Sequence, residues 1–175
     1  MRRIIVGLIP LLFLGLTTFG DNAGAQQSPP ASKEQLVGTW MLVKWWNIAD
    51  DGHEMPPPID GQNMKGVMMF DASGRYSLVI ASDRPRWKSP DRMEGTPDEN
   101  TAAAKGTLAY FGTYSVSESD QTFTLHVDRS LHPNINGTNQ KRFFSISGDE
   151  MQVKSPPFRY PKGTFTGYFI WARAK

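Results

Sequence analysis

Cysteine is absent from all 175 residues. Disulfides and zinc-thiolate sites are thereby excluded, and so is lipid attachment through a cysteine behind a leader. Histidine is nearly as scarce. His53, His126 and His132 are the only three, too thin a supply to call for a metal site, and nothing else in the chain calls for a cofactor. An excess of one charge sign is also missing. Lys and Arg number 19 against 17 Asp and Glu, and without Arg2, Arg3 and Asp21 the balance is 17 to 16. A nucleic-acid binder would carry a basic stripe and a membrane-surface protein a polybasic patch. The phosphate-binding loop, the dinucleotide fingerprint and the Gly-x-Ser-x-Gly elbow do not occur.

Long apolar runs are confined to one place. Residues 4–16 follow Arg2 and Arg3 and lead to Ala23-Gly24-Ala25. A basic start, a short apolar stretch and a small-x-small site describe a secretory signal peptide. The run falls short of the about 20 residues a membrane span needs. The expected organisation is a signal peptide over 1–25, a flexible lead-in over 26–35, and one domain over 36–175. The mature protein would be secreted or periplasmic, with no membrane span. Its 150 residues are enough to bury a real core.

What the domain does have is β-branched and aromatic residues in short runs separated by turn formers. Strands are expected over 36–47, 66–70, 75–81, 107–117, 121–131, 138–147, 150–155 and 167–173. Asp71-Ala72-Ser73-Gly74 marks a hairpin. The proline-rich stretches at 53–63 and 156–164 cannot be central strands, and the first would cross the mouth of a barrel. One helix is expected at Pro97–Lys105. Thr96 and Glu99 form a capping box, Pro97 takes the first helical position, and Gly106 suits the position past the end. The spacing lacks βαβ units. An all-β fold follows, an antiparallel up-and-down barrel of about eight strands with one short helix, because closure removes exposed edges. A two-sheet sandwich is the competing arrangement.

The strand over 121–131 carries most of the functional question. Thr122, Thr124, His126, Asp128 and Ser130 share one parity; Phe123, Leu125, Val127 and Leu131 share the other, with Arg129 as the exception. Alternate side chains point to opposite faces, so one face is polar. Parity alone does not say which face looks inward; the polar one is expected to. If the polar face lines a barrel, His126 would orient a ligand, with Gln140 and Arg142 alongside on the next strand. An arginine in an apolar cavity calls for a carboxylate, from Asp128 or from the ligand. Tyr76, Tyr110 and Tyr114 would add aromatic walls with hydroxyl handles, Gly112 leaving room between the last two. A ligand of this description is small and apolar or amphipathic, and an acidic, fatty-acid-like molecule fits. His126 with Asp128, or with a tyrosine, is the weak catalytic candidate. Such a pair would suit an isomerase, cyclase or hydrolase. A barrel filled by its own side chains, serving structure or a partner, is the remaining alternative.

Several segments in order carry a family resemblance: Leu36-Val37-Gly38-Thr39-Trp40, Gly66-Val67-Met68-Met69-Phe70 with Gly74-Arg75-Tyr76, and Ala109-Tyr110-Phe111-Gly112-Thr113-Tyr114. His126-Val127 and Pro133-Asn134-Ile135-Asn136-Gly137-Thr138-Asn139-Gln140 continue it. The chain from Leu36 to Arg173 resembles the small bacterial and fungal lipocalin-like domain family. That resemblance implies a closed or nearly closed β-barrel and little about its chemistry. It also implies a structural role for Gly38, Trp40 and Arg173, the arginine packing across the first-strand tryptophan. The Thr-Asp-Tyr motif and disulfide of other lipocalins are missing, so retinoid- or odorant-type binding is not implied.

Overall fold

The computed structural model describes residues 31–160 and 163–175. The expected leader, its cleavage site after Ala25 and the first half of the lead-in lie outside the described residues.

The strands among the described residues are β1 (Gly38–Ala49), β2 (Glu54–Met55), β3 (Gln62–Phe70), β4 (Arg75–Asp83), β5 (Thr107–Ser117), β6 (Thr122–Ser130), β7 (Asn139–Ser147), β8 (Glu150–Lys154), β9 (Phe158–Tyr160) and β10 (Gly163–Arg173). Pairing is antiparallel throughout. It runs β1-β3-β4-β5-β6-β7-β8-β10, and β10 returns to β1. Eight strands thus close an up-and-down barrel, and the sandwich alternative is set aside. The short β2 and β9 attach to the outer ends of β1 and β10. β1 pairs with β3 over Gly38–Met41 only, but with β10 over most of its length. The outer half of β1 therefore diverges from β3. The proline-rich loop before β3 covers that end, and its Ile59 packs against the core.

Helix α1 (Lys33–Leu36) closes the opposite end. It falls within the stretch expected to be a flexible lead-in, and its start is a capping box. Ser32 Oγ accepts from Gln35 N, and Gln35 Oε1 accepts from Ser32 N at 2.9 Å. Ser-x-x-Gln is as good a start signal as Thr-x-x-Glu. Leu36 is fully buried, and the Gln121 side chain bonds both the N–H and the C=O of Ala31. Helix α2 (Pro97–Lys105) has the expected bounds and capping box. Gly106 follows it at φ −91°, so left-handed backbone is not the reason for a glycine there. A Cβ at 106 would lie 2.7 Å from Ser82 Oγ. Close packing against β4 is what needs the bare backbone. Gly74, at φ +93°, does supply the positive φ expected of its hairpin.

Three residues seal the base. The Arg173 guanidinium lies 4.2 Å from the centroid of the Trp40 ring. It donates to Val37 O at 3.1 Å and Gln35 O at 2.6 Å. Trp40 is fully buried and donates its indole N–H to Leu36 O. Gly38 sits at φ +134°, and a Cβ on it would come within 2.8 Å of Arg173 Nη1. One cation thus ties the end of α1 to the first and last strands.

Arg173→Ala removes a cation–π contact and two charge-assisted hydrogen bonds, at about 2–3 kcal/mol in all. A fall in melting temperature of roughly 5–10 °C follows for a domain of this size. Thermal melts by circular dichroism check it, with Arg173→Lys expected to recover only part. An unchanged melt would show that the base is sealed without this clamp.

Candidate functional site

The barrel encloses a cavity of about 800 Å³ that opens at the end away from α1. Which strand face lines it follows from β6. Phe123, Leu125 and Val127 are buried, with 1%, 1% and 3% of their surfaces exposed. They point inward because apolar area gains most from leaving water. His126 therefore points outward. Its Nε2 lies 3.1 Å from Ser115 Oγ and its Nδ1 2.7 Å from Asn139 Oδ1, across the outer wall of β5, β6 and β7. This corrects the expectation that His126 faces the cavity. Serine, histidine and asparagine stand here in a nucleophile–base–orienter sequence, and neither Ser115 nor His126 is part of the barrel cavity's lining.

Asp128 departs from its expected place too. Register shifts between Phe111 and Gly112, so Val127 opposes Gly112, Arg129 opposes Phe111, and Asp128 is the extra residue of a bulge. A bulge inserts one residue and reverses the parity beyond it. That explains Arg129, the exception in the alternation, which pairs with the outward Phe111. It also gives Gly112 a different purpose from leaving room between tyrosines. A Cβ there would lie 1.9 Å from His126 O and 2.8 Å from Asp128 N, so the bulged strand occupies that space. Asp128 itself is exposed.

Gln140 and Arg142 lie on the inner face, not alongside His126. The register pairs Gln140 with Leu125 and Arg142 with Phe123. Directly opposed residues point the same way, so both join the buried parity, and both line the cavity. Arg142 donates to Lys141 O at 2.7 Å. Among the described residues no carboxylate forms an ion pair with it. Lys105, Lys141 and Arg159 also line the opening, and among the described residues no Asp or Glu does.

The three tyrosines separate. Tyr110 lines the cavity. Tyr114 is at the closed end, its hydroxyl donating to Asp71 O at 2.7 Å and its ring 4.9 Å from Phe70. Burial raises its phenol above the ordinary value, and Asp71 and Glu34 add to that. Tyr76 is buried, 6.0 Å from the Tyr110 ring, and its hydroxyl has no partner among the described residues. Burial pushes its phenol well above the ordinary 10.0, Tyr110 and Asp128 add to the effect, and Arg142 opposes it.

The wall opposite, from β1 and β10, escaped the sequence reading. Trp45 stacks on Phe169 at 5.0 Å, and Phe169 stacks on Trp171 at 6.3 Å. All three rings line the cavity, and both indole N–H groups lack partners among the described residues. Asn47 lies beyond Trp45 on the same face, 4% exposed, with Oδ1 unpartnered. A lone amide in the run Trp45-Trp46-Asn47-Ile48 was the available signal. β1 is bulged between Leu42 and Lys44, so inward parity passes from Trp40 and Leu42 to Trp45 and Asn47. Strict alternation misses that step.

The family model for the lipocalin-like domain matches residues 37–174, nearly the whole barrel. This chain belongs to that family. The chain is also similar to the 4'-hydroxy-3'-methoxypropiophenone carrier protein ppsC of Aspergillus oryzae. The two are 29% identical over 83 residues, which span 44% of this chain and 75% of that protein.

The Tyr76 environment predicts an alkaline limit. The folded protein keeps this proton at a pH where an unfolded chain has lost it. The stabilising difference is therefore fully present below about pH 10 and is lost as pH rises beyond that value. Melting temperature should begin to fall near about pH 10 and keep falling above it, and Tyr76→Phe should flatten the fall. Identical slopes in the two proteins would show that Tyr76 does not carry it.

Proposed function

We propose that this lipocalin-like domain binds a small, mainly apolar ligand with an acidic end inside its barrel, and that it does so after export through its leader. The observation that carries this reading is Arg142, a half-buried cation on the inner wall with no carboxylate paired to it. A guanidinium in partly apolar surroundings is stabilised by a carboxylate held bidentately. Lys105, Lys141 and Arg159 favour the same sign of charge at the opening. The cavity volume falls within the range of single-ligand pockets, whereas a barrel packed solid by its own side chains would leave no such space. The Aspergillus oryzae relative is a 4'-hydroxy-3'-methoxypropiophenone carrier protein, which supports carriage of a small molecule over turnover. With His126 on the outer wall, the enzymatic alternative loses the base it relied on.

Displacement of a fluorescent fatty-acid probe tests the proposal. Arg142→Ala should weaken binding of a carboxylate ligand about tenfold, and His126→Ala should leave it unchanged. Equal affinity of wild type and Arg142→Ala would remove the acidic end from the description. Sequencing the amino terminus of protein recovered from the export fraction should begin at Gln26.

A further inference from the structure

Three inward positions lie side by side near the open end. Asn47 opposes Gly167 in the β1–β10 register. Ser155, just past β8, hydrogen-bonds Gly167 in both directions: Ser155 N donates to Gly167 O at 2.9 Å, and Gly167 N donates to Ser155 Oγ at 2.8 Å. Asn47 and Ser155 are each 4% exposed and both line the cavity. Between them Gly167 leaves a notch. A Cβ at 167 would sit 3.3 Å from Asn47 Oδ1 and 3.4 Å from Ser155 Oγ. The bare backbone of Gly167 is therefore flanked by two buried polar oxygens and by the edge of the Phe169 ring.

Their hydrogen-bonding capacity is complementary. Asn47 Nδ2 donates to Pro56 O at 3.0 Å, which fixes the amide and leaves Oδ1 as an unpartnered acceptor. Ser155 Oγ already accepts from Gly167, so its own proton is available to donate. An acceptor and a donor flank the notch. We infer that the Asn47–Gly167–Ser155 notch reads a hydroxyl group on an aromatic ligand. This rests on the cavity-binding reading above and adds the ligand's second polar group. A hydroxyl donates to Asn47 Oδ1 and accepts from Ser155. An ether or ketone oxygen can satisfy only Ser155 and leaves the amide oxygen buried and unpaired. A carboxylate is repelled by that same oxygen. The next level inward is the stacked Trp45–Phe169 pair, tilted by 27°, which presents aromatic surface to a flat ring. Sites built to hydrogen-bond a ligand hydroxyl reject analogues lacking it, because their own polar groups are then stranded.

The test compares 2-naphthol with 2-methoxynaphthalene, which differ in the hydroxyl proton, by calorimetry and intrinsic probe fluorescence. Wild type should prefer 2-naphthol about tenfold. Ser155→Ala removes the donor, and Gly167→Ala fills the notch while keeping both polar side chains. Either should bring the preference close to unity, with folding verified by thermal melts. Gly167→Ala serves alone if Ser155→Ala does not fold. Equal affinities in wild type, or a preference that survives in the folded variants, would overturn the notch and leave cavity binding standing. If neither naphthalene binds wild type, the notch is overturned, while displacement of the fatty-acid probe decides cavity binding separately.

Discussion

Pairing between the first and last strands is the constraint from which the rest of this molecule follows. β1 shares only its first four positions with β3, so β10 must hold the remainder of its length. Closure removes the exposed edges that an eight-stranded sheet would otherwise present. It also sets Trp45 against Phe169 and Asn47 against Gly167, the two levels that line the upper cavity. With no disulfide to tie these distant segments together, the tie is backbone pairing, packed rings and one arginine. Arg173 sits at the end of the last strand and reaches Trp40 in the first, gripping the carbonyls of the short helix between them.

A division of labour runs along the barrel axis. The closed end is dense and aromatic: Phe70 contacts Tyr114 and Phe123 edge-on, and Phe123 meets Phe144 at 5.5 Å. Its polar atoms are largely satisfied, as Tyr114 and Trp40 show. The open half differs in kind. There the indole nitrogens of Trp45 and Trp171 and the amide oxygen of Asn47 are buried without partners among the described residues. Buried polar groups usually find partners; these three exceptions line the cavity, whereas a fourth, the Tyr76 hydroxyl, lies outside its lining. The cationic residues gather at the same end.

Local features were legible in the chain and long-range ones were not. Helix α2 was readable to the residue, because Thr96, Pro97 and Glu99 are neighbours that act on each other. Eight strands were readable from their composition and the turn formers between them. The short helix after Ser32 had the same kind of signal but stood behind a proline- and serine-rich stretch. Orientation was harder. A one-residue change of register exchanges the two faces of a strand, and β1 and β6 each carry a bulge that does so midway. His126 and Arg142 look like companions when both strands are assumed to align polar with polar. The actual register sets Arg142 against Phe123 and His126 against Asn139. Asn47, Gly167 and Ser155 are far apart in the chain and become neighbours only through two strand pairings, so no local pattern announces them.

The uncompensated cations around the opening have a consequence for rates as well as for affinity. A charged rim acts on an anion before contact, over distances set by the ionic atmosphere, about 8–10 Å at moderate salt. Such a field raises the frequency of productive encounters and lets them fall as salt is added. A scarce anionic molecule would be captured quickly from dilute solution. Once it had passed the rim, its escape would be governed by the aromatic walls together with Arg142. Capture and release would then fall to different parts of the barrel.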